Sequence, residues 1–418
     1  MAYRILILLL ASKVHEVEKL KWKIKRLKEI VDKMEIETVN ILIEGPYSSI
    51  NNALEKLKES SSIGGIIIYC LTGGTSKIAY EISGKCNAPL WLMADESDNS
   101  LPSTINLREK VRRIGRIAKI IYLNEPIERI YRKLETFNRV VNIFDLLRRS
   151  KILIIGRKDR KANNRLNLKF KCIEIENKII ENELNRVTGN EIEKAVRKFE
   201  KLIKKKITLN EKVEDAIKLY IAFKKLIRKF NCTAITVDCF RFIEKYGVTP
   251  CLSFSLLNSE KILSVCEGEM NSYLAMMIAS SVSDKPVFMG NMSSYDMNSN
   301  TVILAHCTAP LTIPNENVEV TSHFETGRSI ALDVKFKRNN ITLLSIDEKM
   351  KHILVEEGRI LESSLKMPDK CRTQVKIKIN RGVEEYVNAL PGNHQILVLG
   401  NRKKIVEEIA ESLKLKLL

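Results

Sequence analysis

The sequence predicts an α/β protein: two Rossmann-like α/β domains with parallel sheets, over residues 1–148 and 149–313, then a C-terminal β-rich, barrel-like domain over 314–418. Three observations carry this reading. Short apolar runs alternate with charged segments of helical period up to about residue 150, and a second strand–helix series restarts at Lys151. After Pro314 the helical period gives way to short alternating strands.

Element by element, Ile5–Leu10 is too apolar for a one-sided strand and should be buried on both faces of a parallel sheet. Val14–Met34 has helical spacing, and Thr38–Ile43 follows as a strand and Ser49–Leu57 as a helix. Gly65–Leu71 and Pro89–Met93 are further strands, Pro102–Ile114 a helix, and Ala118–Leu123 a fifth strand. Lys151–Gly156 opens the second series; Asn190–Lys205 and Asn210–Phe230 are amphipathic helices with Asn at the caps. Thr233–Asp238 is a buried strand, Glu267–Val282 a Met- and Ala-rich helix, and Val287–Met289 and Thr301–His306 short strands. Val318–Ser322, Ile330–Phe336, Ile341–Ser345, His352–Glu356 and Thr373–Ile379 read as short antiparallel strands of a small barrel or sandwich, with a last strand at Ile396–Leu399 and a helix at Arg402–Leu413.

Composition narrows the function classes. A chain of 418 residues favours two or three domains. No apolar run approaches the roughly 20 residues of a membrane span, and Ile5–Ala11 lacks the flanks of a signal peptide. Nine cysteines without a CxxC pair argue against a zinc ribbon and a secreted disulfide framework. The expectation is a soluble, cytoplasmic, thiol-reduced protein with no membrane partner. The net charge of +19 sits wholly in residues 101–230, with 35 basic and 16 acidic side chains; residues 1–100 carry 13 of each and residues 231–418 carry 22 of each. No RNA-reading motif accompanies the excess, so it reads as solvated helix faces, and nucleic acid is not expected as a partner. Thr72-Gly73-Gly74-Thr75 follows a strand but lacks the GxGxxG spacing, which reads as a tight βα connection rather than a dinucleotide site.

The polar residues of chemical interest crowd between Asp238 and Cys307, each after an apolar run. They are Asp238-Cys239-Phe240, Tyr246 to Cys251, Cys266-Glu267-Gly268-Glu269, Asn291, Ser293 to Asp296 and His306-Cys307-Thr308. Strand C-termini line the ligand crevice of an open α/β sheet. Glu267 and Glu269, two apart at a helix start, should not share a face, so one faces the site while the other caps or pairs. Carboxylates, Asn and His suit a hard or borderline divalent metal, and His306, His323 and His394 lie near strand ends or in loops of small residues. Cys239, Cys251, Cys266 and Cys307 read as small buried hydrophobes rather than nucleophiles, with a soft-metal site as the alternative.

In order and spacing these tracts resemble the L-fucose isomerase and L-arabinose isomerase families of ketol isomerases, especially the fucose-isomerase-like proteins of archaea. The resemblance rests on Leu71 to Thr75, Asp98 to Pro102, Thr236 to Phe240, Tyr246 to Cys251, Cys266 to Glu269 and Ala305 to Cys307. His323 to Gly327, Cys371 to Gln374 and Gly392 to His394 add to it. It implies a Mn²⁺-dependent aldose–ketose isomerase acting on an open-chain pentose or 6-deoxyhexose through a metal-bound enediol, as a homo-oligomer (trimer or hexamer). Carried over, Glu267 and His394 are metal ligands with Asn291 a weak third, Glu267 is also catalytic and moves the proton with Glu269 or Asp238, and His306 is a catalytic residue that stabilises the developing enediolate. Glu269, His323, Glu325 and Arg372 contact substrate. One departure stands out: the family's second metal carboxylate falls on Asn291, which ligates only through its carbonyl oxygen and is no general base. Glu269, Asp238 or Asp296 is left to supply the base. The alternative is a non-catalytic or altered-reaction sugar-binding homologue, and an anionic substrate would engage Arg372 and the basic 101–230 segment.

Overall fold

The computed structural model describes residues 3–34, 40–59, 63–156 and 170–418. The chain divides into two compact units, Met1–Leu146 with Glu411–Lys414 and Leu147–Ala410 with Leu415–Leu418.

The first unit is a five-stranded parallel sheet of β1 (Arg4–Leu10), β2 (Asn40–Tyr47), β3 (Ile63–Cys70), β4 (Leu90–Ala94) and β5 (Ile120–Tyr122), ordered β2-β1-β3-β4-β5. The helices are α1 (Val17–Asp32), α2 (Ile50–Glu59), α3 (Ser76–Lys85), α4 (Ser100–Arg113) and α5 (Ile127–Arg149). The period-2 geometry of β1 splits its apolar run between two cores. Ile5, Ile7 and Leu9 pack with Leu20, Leu27, Phe137 and Val141 of α1 and α5. Leu6, Leu8 and Leu10 pack with Ala53, Ala79, Ile82, Leu107 and Val111 of α2, α3 and α4. This is the burial on both faces that the sequence predicts. The strand expected over 38–43 runs Asn40–Tyr47, with 38–39 outside the described residues; as an edge strand it accommodates Pro46.

At the strand ends of this unit, buried Lys23 pairs with Asp95 at 3.0 Å and Asp98 at 2.9 Å and donates to the Leu71 carbonyl at 2.8 Å. The Thr72–Thr75 turn is consumed internally: Thr72 Oγ1 accepts from Ser12 N, Gly73 N donates to Asp98 O, and Thr75 Oγ1 donates to Thr72 O.

The second unit opens with a four-stranded parallel sheet of β6 (Lys151–Ile155), β7 (Lys171–Ile175), β8 (Ala234–Val237) and β9 (Leu263–Cys266), ordered β7-β6-β8-β9. Its helices are α6 (Asn177–Asn185), α7 (Gly189–Ile203), α8 (Glu211–Lys229), α9 (Cys239–Tyr246), α10 (Cys251–Ser259) and α11 (Met270–Ser281). Asn210 caps α8 through Val213 N as expected, but α7 is capped by Thr188 in a reciprocal capping box with Glu191, not by Asn190.

The rest forms a closed antiparallel barrel. Its strands are β10 (Phe288–Asp296), β11 (Thr301–His306), β14 (Asn340–Ile346), β15 (His352–Ser363), β16 (Thr373–Ile379) and β17 (His394–Leu399). The order β14-β17-β10-β11-β16-β15 returns to β14, so no edge is left in the ring. A hairpin of β12 (Asn315–Thr321) and β13 (Ala331–Phe336) stands apart, and α12 (Val383–Ala389), α13 (Lys403–Ser412) and the two-residue β18 (Lys416–Leu417) complete the chain. β10 and β11 therefore belong to the barrel sheet although both precede Pro314. β10 also runs seven residues past the expected Met289, because its polar stretch pairs with β11 through a bulge at Met292–Ser294. Among the described residues no helix is long and apolar enough to cross a membrane.

Several lysines of the basic 101–230 segment are paired, as in Lys225–Glu191, Lys218–Glu214 and Lys206–Glu200. The strongest node is Glu260. Burial alone raises its carboxyl, but hydrogen bonds from Lys198, Lys224 and Tyr220 outweigh burial and bring it down to about 2. A depressed carboxylate stabilises the fold above its ordinary value of 4.5 and loses that contribution as pH falls toward about 2. Glu260→Gln should therefore cost on the order of 1–3 kcal/mol at neutral pH. Denaturant unfolding of both proteins should show that gap narrowing in acid.

Candidate active site

β9 ends at Cys266, and the next two residues are left-handed, Glu267 at φ 60° and Gly268 at φ 70°. The helix expected from Glu267 begins instead at Met270, with Glu269 extended at its N-cap. This changes where the carboxylates go. On a helix, residues two apart diverge, but on this turn both reach one place. One donor atom each from Glu267, Glu269 and His394 lies within 4.8 Å of the others. Of the two, Glu269 stands at the helix N-cap and pairs with His394, while Glu267 lies beside them.

His394, at the first position of β17, is buried, and its Nδ1 pairs with Glu269 Oε2 at 2.8 Å. Ser272 Oγ donates to the same oxygen at 2.6 Å. The Nε2 of His394 is buried without a hydrogen-bond partner among the described residues. Asn291 faces His394 in the β10–β17 register, and its Oδ1 accepts from Asn393 Nδ2 at 3.0 Å. His306, the last residue of β11, stacks at 5.6 Å between ring centroids from His394, and its Nδ1 lies 2.8 Å from Thr308 Oγ1. Glu267, Glu269, Asn291, His306 and His394 thus converge where the parallel sheet meets the barrel, within one unit.

The electrostatics follow from burial and crowding. The Glu267 carboxyl borders solvent, yet desolvation by its surroundings raises it; His394 opposes this, and Glu269, Glu325 and Asp238 add repulsion. Burial, then the neighbouring His394, push His306 down to about 4, so it is neutral at physiological pH. Two carboxylates and an imidazole with an unused buried nitrogen suit a hard or borderline divalent cation, with the carboxylate–imidazole contact orienting the ring.

The remaining expected residues lie around this centre. Glu325 is exposed, within electrostatic reach of Glu267. Arg372 donates from Nε to the Ser322 carbonyl at 2.9 Å. His323 is gathered into a second group, with donor atoms of Cys251 and Cys307 within 4.8 Å of its own. Asp296 lies at the far end of β10, roughly 16 Å along the strand from Asn291, and binds Ser299 and the Asn298 amide. Asp238 caps α9 beside Arg241. Ser272, Thr308 and Asn393 are positioning residues that residue type alone does not flag; only their places three, two and one residue from Glu269, His306 and His394 hint at the role.

No protein-family model matches the chain. Among curated proteins the chain is similar to the sulfoquinovose isomerase of Clostridium sp. (strain MSTE9), 24% identical over 212 residues, or 48% of this chain and 47% of that protein. It is also similar to the sulfoquinovose isomerase of Alkalicoccus urumqiensis, 23% identical over 200 residues, or 45% of this chain and 44% of that protein. The chain spans about half the length of the curated relatives it matches. The likeness is to proteins named as sugar isomerases, not specifically to the fucose or arabinose enzymes.

His306 gives a direct check of this geometry. Its folded value of about 4 against 6.5 means the unfolded chain takes up a proton first, so stability falls as pH drops from 6.5 to 4. Imidazole NMR should show His306 titrating near 4, and a midpoint at or above 6.5 contradicts the burial beside His394.

Proposed function

We propose that this chain carries the active site of an aldose–ketose isomerase that acts on an open-chain sugar. The observation that supports it most is the meeting of Glu267, Glu269 and His394 beside a neutral His306. The names of the relatives point the same way.

The reaction moves one proton from C2 to C1 and one from O2 to O1. Glu267 takes the C2 proton and returns it to C1. Glu269 is held by His394 and Ser272 and positions the imidazole. His306 donates a hydrogen bond to the oxygen where negative charge develops, and its Thr308 contact orients the ring. The proposed cofactor is Mn²⁺ or a similar divalent cation, held by Glu267 and His394 with Glu269 beside them and the Asn291 amide oxygen adjacent. When bound, it supplies positive charge next to the two reacting oxygens. Glu325 and Arg372 contact the far end of the sugar, and a homo-oligomer, trimer or hexamer, is the proposed assembly.

The substrate class is a pentose or 6-deoxyhexose. The sulfoquinovose isomerase relatives favour a 6-deoxyhexose carrying a sulfonate, which Arg372 would meet. Salt decides between charged and neutral sugars: KM for an anionic substrate should rise with ionic strength, whereas KM for a neutral one should not.

Turnover followed by NMR in deuterated water, with Mn²⁺ supplied, tests the proposal. Solvent deuterium should appear at C1 of the ketose, and Glu267→Gln should lower kcat by roughly 10²–10⁴-fold. Calorimetry should show Glu267→Gln weakening Mn²⁺ binding and Asn291→Asp tightening it. No interconversion of neutral or sulfonated aldoses, with sugar binding intact, would favour a non-catalytic sugar-binding protein, the reading that Asn291 motivates.

A further inference from the structure

A second group of donor side chains lies apart from the carboxylates. Cys251 opens α10, Cys307 follows β11, His323 follows β12, and Cys371 precedes β16. Three of these elements bring two thiols and an imidazole together, and the fourth sets Cys371 beside Cys307. Donor atoms of Cys251, Cys307 and His323 lie within 4.8 Å of one another, and all three residues are buried. Cys371 packs against the two cysteines and hydrogen-bonds Cys307. All nine cysteines are free thiols.

We propose that Cys251, Cys307, Cys371 and His323 form a thiolate-rich site for a zinc-class cation, separate from the carboxylate site. Zn–S bonds of about 2.3 Å in tetrahedral array put ligand atoms about 3.8 Å apart, close to the 4.8 Å within which Cys251, Cys307 and His323 already lie, with Cys371 hydrogen-bonded to Cys307. The ligand types fit: thiolate and imidazole select zinc over the hard cations that suit Glu267 and Glu269. The surrounding shell fits as well. Thr326 Oγ1 lies 3.1 Å from His323 Nδ1, which engages that nitrogen and leaves Nε2 for a metal. The Arg372 backbone amide donates to Cys307 Sγ. Binding releases the thiol protons to solvent and gives a Cys₃His set. The bound ion would tie α10, the end of β11, the β12–β13 turn and the start of β16 together, next to His306. This assignment is independent of the isomerase reading.

Cobalt as probe keeps the two sites apart, because only thiolate ligation gives sulfur-to-cobalt charge-transfer absorption. The reduced, metal-free full chain titrated with Co²⁺ should develop that absorption to one equivalent and lose it on addition of Zn²⁺. Cys307→Ser should abolish the band and His323→Ala weaken it, while Glu267→Gln should leave it unchanged. On the unmodified protein, Zn²⁺ should slow alkylation of half-buried Cys371 at least tenfold. Absence of charge-transfer absorption in the wild-type protein overturns the proposal. So does its loss in Glu267→Gln, or recovery of Cys251, Cys307 or Cys371 as a disulfide after purification under reducing conditions.

Discussion

The pair of left-handed residues at the end of β9 is the constraint on which the candidate site depends. Glu267 is not glycine, and holding it at φ 60° costs roughly 1–2 kcal/mol. Such a conformation persists only where its surroundings over-determine it. Here the turn ends at Glu269, which caps α11 and whose carboxylate is claimed by Ser272 and His394. α11 in turn packs on β9, β14 and β17, so one helix joins the parallel sheet to the barrel. A helix started three residues earlier would splay the two carboxylates about 200° apart. The barrel histidine would then meet one of them at most.

The same junction sorts charge. The net +19 lies in the sequence of residues 101–230, whereas Asp238, Glu267, Glu269 and Glu325 gather near His394. Repulsion among those carboxylates and desolvation raise Glu267, while burial lowers His306. One acid and one imidazole, each near His394 and Glu269, are thus shifted in opposite directions. The basic helices have no part in this. Glu260, with three donors on one carboxylate, shows them engaged in structure instead.

How legible this was in the sequence depends on which force made each element. β1 and β3 could be read because a continuous apolar run has only one comfortable place, between two helical layers. β10 was half legible: Phe288 and Met289 are apolar, but Asn291 to Asp296 has the composition of a loop and becomes strand only because β11 and β17 supply partners. α9 and α10 were missed because Asp238 to Cys251 was read as strand-end polarity. Glu267 and His394 were found through motif resemblance, not through periodicity. Their meeting across 127 positions is a property of barrel closure, which no local pattern encodes. The positive φ of Glu267 had no sequence signal at all.

The cysteine group was the least legible feature, because its members sit at 251, 307, 323 and 371 with no short spacing to betray them. Topology explains why it lies beside the carboxylate group. His306 and Cys307 are consecutive at the end of β11, and consecutive side chains of an extended segment point to opposite sides. His306 therefore turns toward His394 while Cys307 turns toward Cys251 and Cys371. One strand end serves an oxygen-and-nitrogen donor set on one side and a sulfur-and-nitrogen set on the other. The two sets differ in donor softness, so the cations that would suit them differ as well. Anything that stiffens the sulfur side also fixes the backbone on which His306 stands, so the position of the neutral imidazole is a shared property of both groups.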